Sequence, residues 1–391
     1  MASPVRAREA RWRTAVAVLD EVRTHPGATR ASVARELGLS SGSAAEITAR
    51  LRELDLLAET PLAAARRGRP TSVLGPHPRG PLVIAVDLRQ EDWRCAVAGL
   101  DGRPELLVAA RHVKREPAAV LDVVRRAVLR VHGEYGPRVR AVGVAVAGTV
   151  RDGTVVQAAT LGWDAVDLGP LAGGSEGPLV AGNDARLAGV AEARRGAAVG
   201  ARASLHVTVE VGVGGALVVD GQPVTGATGA AGEFGHLPFG DPALRCPCGA
   251  RGCWDLDVDG RALARHLGAP PPEDPRTYTR EVLAVAAVDP RARAALARTA
   301  AGLGAGIAGL VNALDPEVVT FGGLAEPLRA AAPDDFAAAF TDGLMAFRRT
   351  APPPVVPAAF GEDGALHGAV TAALDEVVSE PGVAAWAAVR R

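Results

Sequence analysis

Apolar residues divide the chain into an N-terminal part with helical spacing and a longer part in which apolar runs alternate with helical segments. The first helix is predicted at 13–24. Two shorter helices follow at 29–38 and 40–54, with Thr29 as a cap and a tight turn at Gly38. Two short helices joined by a glycine turn are typical of a helix-turn-helix motif.

The second helix of such a motif enters the major groove of DNA by its N-terminal residues. Here these residues, 40–43, are small and polar, which allows close approach. After Leu57 a turn-rich segment carries three arginines around a glycine at 66–70, which suits a wing that contacts phosphates or the minor groove. A three-helix module with a solvated basic loop is the alternative. The candidate DNA-binding residues are Thr29, Arg30, Ser40, Ser41, Ser43, Arg50, Arg66, Arg67 and Arg69.

The longer part contains two similar cycles of strands and helices. Apolar runs at 82–88 and 139–146 predict buried strands, and 117–134 is helical. Asp-Gly turns at 101–102 and 220–221 hold matching places in the two cycles, which favours a two-lobed α/β body with a ligand cleft between the lobes. The apolar positions of the helix are Val120, Val123, Val124, Leu129 and Val131. The predicted divisions are a head at 1–75, a linker at 76–81, the body at 82–378 and a tail at 379–391, a peripheral helix or frayed end without an assigned role.

Charge is unevenly distributed along the 391 residues. The whole chain has a formal net charge of −1, whereas residues 1–75 contain twelve arginines and eight acidic residues, or about +4. A basic head suits contact with nucleic acid. No apolar run approaches the roughly 20 residues that span a bilayer, and the first residues lack the apolar core of a signal peptide. We therefore expect a cytoplasmic protein.

Three of the four cysteines crowd into the segment 231–255. Cys246, Cys248 and Cys253 lie near a histidine, His236, ten residues upstream of the first cysteine. Zn²⁺ prefers four tetrahedral sulfur and nitrogen ligands, so three thiolates and one imidazole would complete a structural site. Three reduced, buried thiols are the alternative. We predict that these four residues bind zinc.

The same segment resembles the ROK family (repressors, open reading frames, kinases), whose members are sugar kinases and sugar-responsive repressors. The resemblance rests on GAAGEFGH followed by CPCGARGCWD, and on the GRP wing at 68–70 directly before the body. It implies an actin-like (ribonuclease H-like) body, a structural zinc, and Glu233 and His236 facing a sugar. The head implies the regulator branch, with an N-terminal winged helix-turn-helix, because the free-standing kinases begin at the body.

The phosphate-binding motif of the kinases is altered in this chain. ROK kinases have Asp-x-Gly-Gly-Thr at the end of the first strand, whereas Asp87 is followed here by Arg89, Gln90 and Glu91. Bulky side chains prevent the close backbone approach that glycine allows. A second loop also carries Glu210 at the family's first glycine. The sequence therefore argues against ATP-dependent phosphoryl transfer, and no residue is predicted to be catalytic.

The sugar-binding half of the cleft is better preserved. The segment with Asn183 and Asp184 resembles the family's Asn-Asp-Ala, in which the aspartate accepts the proton of the attacking hydroxyl. Ala147 replaces a proline of the family, and Asp255 replaces a glutamate. Asn183 as a turn former, Asp184 as a helix cap and Glu233 as a surface charge are the structural alternatives. The candidate sugar-binding residues are Gly148, Asn183, Asp184, Glu233, His236 and Asp255.

The leading hypothesis is a sugar-responsive DNA-binding regulator, a repressor that acts as a homodimer or homotetramer on an operator. Its effector would be a sugar or sugar phosphate whose binding changes lobe closure and the spacing of two heads. A sugar kinase with an added N-terminal module is the alternative. A regulator that has lost ligand control is also compatible with the changes at Ala147 and Asp255.

Overall fold

The computed structural model describes residues 4–61, 72–174 and 177–390, with side chains from residue 12 onward. Its first 76 residues contain three helices and an antiparallel hairpin. Thr29 caps the second helix by accepting a hydrogen bond from the Ser32 amide, as the sequence predicts, and Ser40 caps the third by accepting one from the Ser43 amide. These elements are α1 (Pro4–Thr24), α2 (Arg30–Glu36), α3 (Ser41–Glu53), β1 (Leu57–Pro61) and β2 (Ser72–Pro76). The predicted wing-tip arginines Arg66, Arg67 and Arg69 lie outside the described residues.

The N-terminal lobe is built on a five-stranded sheet in the order β10-β6-β3-β4-β5. Its two central strands, β3 and β6, are parallel and buried along almost their whole length, which explains their continuous apolar sequences. A small antiparallel sheet, β7-β8-β9, follows the central strands. The elements are β3 (Leu82–Leu88), β4 (Asp92–Ala98), β5 (Glu105–Arg111), α4 (Pro117–Tyr135), β6 (Val139–Val146), β7 (Thr149–Arg151), β8 (Thr154–Ala158), β9 (Trp163–Asp167) and β10 (Leu179–Asn183).

One detail of α4 differs from the sequence pattern. Val120, Val124 and Val131 are buried as an apolar face requires, but Val123 and Leu129 are 40% and 39% exposed. These two side chains therefore contribute less to the buried face than the sequence pattern predicts.

The C-terminal lobe repeats the arrangement with a second five-stranded sheet in the order β13-β12-β11-β14-β15. Its longest helix, α9, has the length and hydropathy of a membrane span, but most of it is buried in the core of this lobe. The elements are α5 (Asp184–Arg195), β11 (Ala203–Val209), β12 (Val213–Val219), β13 (Gln222–Pro223), α6 (Asp255–Val258), α7 (Gly260–Leu267), α8 (Pro275–Val285), α9 (Pro290–Leu314), β14 (Val318–Gly323), α10 (Ala325–Ala331), α11 (Pro333–Gly343), α12 (Ala346–Arg349) and β15 (Val355–Pro357).

The chain returns to the N-terminal lobe through α13 (Gly364–Val377), which packs on α5, β3 and β6. The approach is close because a glycine lies at the contact on each side, Gly143 facing the helix and Gly368 within it. A Cβ atom on Gly143 of β6 would lie 2.1 Å from the Ala369 carbonyl oxygen, and one on Gly368 would lie 2.3 Å from the Leu187 backbone. The predicted two-lobed α/β fold is confirmed, with α5 and α13 as the helices that join the lobes.

The last helix, α14 (Glu380–Val389), lies within the segment for which the sequence predicts a peripheral helix or frayed tail. Its Val383 and Trp386 are each 1% exposed and belong to a single apolar cluster that includes Leu19 and Leu51 of the head and Val83 of the body. The indole of Trp386 also donates a hydrogen bond to the Leu54 carbonyl at 2.7 Å. This helix therefore packs the head against the body.

Candidate functional site

A cavity of about 530 Å³ lies between the lobes, at the ends of β3, β6, β10 and β11. Its volume is in the range of pockets that hold small molecules. All six predicted sugar-binding residues line it, together with Arg89, Gln90, Glu91 and Glu210 from the altered phosphate loops. The structure thus brings the two sets of residues together in one cleft.

Asn183 holds the turn from β10 into α5. Its side-chain oxygen accepts a hydrogen bond from the Arg186 amide at 2.9 Å, and its side-chain nitrogen donates to the Gly148 carbonyl at 3.2 Å. Gly148 itself is closely packed, since a Cβ atom there would lie 2.6 Å from the Ala158 methyl group. The turn-forming role of Asn183 is therefore real, and the same contacts join the start of α5 to the loop after the neighbouring strand β6.

Asp184 begins α5 and accepts a hydrogen bond from the Ala185 amide at 2.7 Å. Burial, together with the nearby carboxylates of Asp87, Glu210 and Glu233, raises the pKa of the Asp184 carboxyl to about 7. A carboxyl with a pKa near neutrality can both accept and donate a hydrogen bond to a hydroxyl group.

Two other carboxylates are held in place by loops of the cleft. Glu233 accepts a hydrogen bond from the Thr149 hydroxyl at 2.6 Å. Asp255 accepts one from the Val213 amide at 2.6 Å and lies 3.6 Å from Nδ1 of His236. Thr149 was not singled out in the sequence, because only the fold brings it beside Glu233.

A compact metal-ligand cluster adjoins the cleft. The ligand atoms of His236, Cys246, Cys248 and Cys253 all lie within 4.8 Å of one another. Cys248 and Cys253 are 3.7 Å apart at Sγ, and Cys246 Sγ is 3.8 Å from His236 Nδ1. Zn–S bonds of about 2.3 Å in a tetrahedron produce similar separations. The four residues could therefore hold a metal ion through Nδ1, which leaves Nε2 of His236 for another partner.

The side chains of the altered phosphate loop in the N-terminal lobe form ion pairs with one another and with the preceding strand. Arg89 Nε lies 2.6 Å from Asp92 Oδ1 and 3.8 Å from Asp87 Oδ2. Glu91 is only 6% exposed, and burial and the charge of Asp274 raise the pKa of its carboxyl. The bulky residues therefore occupy the position where the family's glycines would admit phosphates.

An ionic network that the sequence did not reveal continues across the cleft. Arg276 of α8 is 6% exposed and contacts Glu210 at 2.7 Å and Glu362 at 3.0 Å. Arg94 of β4 pairs with Asp87 at 2.7 Å and with Asp363. Glu362 and Asp363 immediately precede α13, so the segment that joins the lobes is paired with arginines from both of them. These partners are distant in sequence, and no local pattern could have identified them.

The described DNA-binding candidates lie on the head. Ser40, Ser41 and Ser43 are exposed at the start of α3, as a recognition helix requires. Arg30 is exposed and pairs with Glu59 of β1. The guanidinium group of Arg50 lies over the Trp12 ring, 4.2 Å from its centre. Arg50 therefore packs against the core of the head.

The relatives found by sequence include sugar kinases. A kanosamine kinase of Amycolatopsis mediterranei is 32% identical over 254 residues, which are 63% of this chain and 80% of the kinase. A glucokinase of Streptomyces coelicolor is 29% identical over 153 residues, or 38% of this chain. The chain thus spans about half (48%) of that glucokinase's length.

Among solved structures, a ROK family transcriptional regulator, described as a homolog of the E. coli MLC protein, matches with a TM-score of 0.75 and 22% identity. It covers 97% of this chain and 99% of its own. A ROK glucokinase from Streptomyces griseus, in complex with glucose and AMPPNP, matches with a TM-score of 0.64 and 27% identity over 75% of this chain and 99% of its own. The ROK family model matches residues 83–376. The chain therefore belongs to the ROK family.

Proposed function

We propose that this protein is a sugar-responsive, DNA-binding transcriptional regulator, a repressor of carbohydrate genes that does not phosphorylate its ligand. It would act in the cytoplasm as a homodimer or homotetramer on an operator of double-stranded DNA. The observation that carries the proposal is the combination of a helix-turn-helix head with a ROK cleft whose phosphate loops are occupied by charged side chains.

Two features of the head support DNA binding: the residues exposed at the start of α3, and the match of the head to a regulator's fold. Exposed small polar residues begin α3, and the sequence of the head has an excess of arginine. The regulator's fold extends over 97% of this chain, whereas the glucokinase of Streptomyces griseus covers 75% of it. The family model begins only at residue 83, after the head.

The cleft supports sugar binding without phosphoryl transfer. Asp184 and Glu233 can accept hydrogen bonds from sugar hydroxyls, and Asn183 joins the start of α5 to the loop that contains Gly148. Near the phosphate position, Arg89 is already paired with Asp92, and Arg276 with Glu210 and Glu362. A triphosphate would have to break these pairs and lie beside Glu91 and Glu210, which is electrostatically unfavourable.

Zinc fits the cluster of one imidazole and three thiolates and would have a structural role, because these four ligands complete its tetrahedral coordination. The metal would fix the ring of His236 and the loop that carries Glu233. Without the metal, ordering this loop when a ligand binds would cost conformational entropy. This arrangement ties one wall of the cleft to a rigid centre.

Helices α13 and α14 connect the region of the cleft to the head. Glu362 pairs with Arg276, which lines the cleft, and lies just before α13, which leads to α14 and so to the head. A ligand that binds one degree of lobe closure more tightly would shift the equilibrium toward it. We infer that the shift moves α13 and thereby the spacing of two heads in an oligomer.

A sugar kinase with an added head is the second candidate, favoured by the sequence relatives and by the position of Asp184 in the cleft. Measuring ADP release with ATP and a panel of hexoses separates the two. We expect no sugar-dependent release from the wild type or from Asp184→Asn. Release by the wild type that Asp184→Asn abolishes would establish the kinase.

DNA binding is tested independently by selecting operator fragments from the host genome with the full-length protein. We expect specific binding whose affinity falls steeply with salt concentration, since each phosphate contact releases counterions. Sugars that change this affinity identify the effector. An absence of specific, salt-dependent binding would contradict the proposal.

A further inference from the structure

The lining of the cleft is strongly biased toward negative charge. Six carboxyl side chains contribute to it, against three guanidinium groups. The carboxyl groups belong to Glu91, Asp184, Glu210, Glu233, Asp255 and Glu273, and the guanidinium groups to Arg89, Arg261 and Arg276. Burial raises the pKa of Asp184 and Glu210 to about 7, so a cationic group on a ligand would favour the ionised form of these carboxyl groups.

Each of the three arginines already has a carboxylate partner. Arg89 lies 2.6 Å from Asp92, Arg261 lies 2.5 Å from Asp259, and Arg276 lies 2.7 Å from Glu210. A phosphate group on the ligand would thus find no unpaired arginine among the described residues that line the cleft. The phosphate group of a sugar phosphate would place about two negative charges next to carboxylates that have no cationic partner. This repulsion opposes the binding of sugar phosphates.

The same region has buried acceptor atoms without donors. Gln90 and Glu91 both line the cleft, and Oε1 of each is buried without a hydrogen-bond partner within the described parts of the chain. Glu91 is 94% buried, with a relative exposure of 6%. A buried acceptor left unpaired is destabilising, more so when the group is charged, so these atoms are suited to a donor supplied by the ligand.

We propose that the effector is a sugar that carries a free amino group and no phosphate. Its hydroxyls would contact Asp184 and Glu233, and its ammonium group would donate hydrogen bonds to Gln90 and Glu91. The inference rests on the proposed sugar-responsive function and specifies its ligand class. An ammonium group satisfies both orphaned acceptors and reduces the excess negative charge, which a neutral hydroxyl cannot do.

Calorimetric titration of the full-length protein tests this ligand class. The probes are glucose, hexoses with the hydroxyl at carbon two, three or six replaced by an amine, N-acetylglucosamine, and glucosamine phosphorylated on its terminal hydroxyl. We expect at least one amino hexose to bind about tenfold or more tightly than glucose, and this preference to shrink as salt concentration rises. We expect the phosphorylated amino sugar to bind at least about tenfold more weakly than its parent.

Two variants test the assigned position of the amine. Glu91→Gln should reduce the ratio of amino-hexose to glucose affinity to nearly one. Glu273→Gln makes the same charge change at an exposed residue of the cleft and should retain most of the preference. Gln90→Met removes the neighbouring acceptor and should lower the ratio as well, which keeps the position testable if Glu91→Gln fails to fold.

Several results would overturn the proposal: no preference for any amine, tighter binding of the phosphorylated sugar, binding of none of the probes, or equal effects of Glu91→Gln and Glu273→Gln. DNA binding in the absence of sugar separates this failure from failure of the proposed regulator. Specific DNA binding with no amine preference would refute only the ligand class. An amine preference without specific DNA binding would refute only the regulator.

Discussion

The Trp386 indole donates a hydrogen bond to the Leu54 carbonyl at 2.7 Å, although 332 residues separate them. The bond joins the last helix of the chain to the end of the helix proposed to recognise DNA. Arg390 adds an ion pair with Asp55 at 3.0 Å, one residue further along. The carboxyl-terminal segment is therefore a structural support for the head.

Removing the Trp386 ring should loosen this support. Trp386→Ala is expected to lower the free energy of unfolding by about 3–5 kcal/mol, since it leaves a cavity in a core shared by head and body. Trp386→Phe keeps most of the packing and loses the hydrogen bond, at a cost nearer 1 kcal/mol. Urea denaturation followed by circular dichroism measures both. Equal effects of the two variants would show that the hydrogen bond, and not packing, dominates.

Metal binding should depend on the clustered cysteines and not on the fourth one. Cys248→Ser is expected to abolish stoichiometric zinc and to lower the melting temperature, because the metal stabilises only the folded site. Cys95→Ser is the matched control, since Cys95 is buried in the N-terminal lobe, outside the cluster. Elemental analysis of both purified variants gives the zinc content. Zinc retained at full occupancy in Cys248→Ser would contradict the assignment of its ligands.

The raised pKa of Asp184 should be visible in the dependence of stability on pH. The unfolded carboxyl releases its proton near pH 4 and the folded one near pH 7, so between these values the folded state binds more protons and stability falls as pH rises. Asp184→Asn removes this dependence. We expect the variant to be more stable than the wild type by about 1 kcal/mol or more above pH 7, and the difference to vanish toward pH 4. Thermal melts across this range would show a constant difference if Asp184 had an ordinary pKa.

A negative charge at the start of α3 should weaken DNA binding without harming the fold. Ser41→Asp puts a carboxylate at the first helical position, where it interacts favourably with the helix dipole. Near DNA phosphates the same charge is repelled, so we expect about tenfold weaker operator binding at low salt. Thr350→Asp introduces the charge at an exposed residue of the C-terminal lobe and should leave binding unchanged. Equal losses in gel-shift titrations would show that net charge alone is responsible.

A buried carboxylate links α5 to the segment before α13. Glu192 is 1% exposed and accepts hydrogen bonds from the amides of Ala197, Ala359 and Phe360 at 2.8–3.0 Å. Glu192→Ala leaves these donors buried without partners, so we expect unfolding to become easier by about 2 kcal/mol or more. The exposed Glu281→Ala is the control. Stability within about 0.5 kcal/mol of wild type in both variants would refute this role.

Local patterns sufficed for much of the fold. Apolar runs such as Val139–Val146 predict their strands because a central parallel strand is buried on both faces. Thr29 was identifiable as a cap because capping depends on residues only three positions apart. The crowding of Cys246, Cys248 and Cys253 likewise predicted a cluster that needed only His236 from further away.

Contacts between distant segments were beyond the reach of such patterns. Arg276 carries no motif, and its burial between Glu210 and Glu362 arises only when α8 packs beside two other segments. Trp386 lies in a short apolar stretch at the chain end, and its role depends on a groove formed by the head and α13. Position in the tertiary structure, rather than local composition, determines what these side chains do.

The shared apolar cluster of head and body limits how this protein can be re-engineered. A graft that exchanges only residues before the body would expose Val83 and Trp386 to water and give the new head no matching surface. Chimeras intended to redirect the cleft's response to another operator should therefore exchange the final helix together with the head. Natural diversification of operator specificity in such a chain is expected to require paired changes at its two ends.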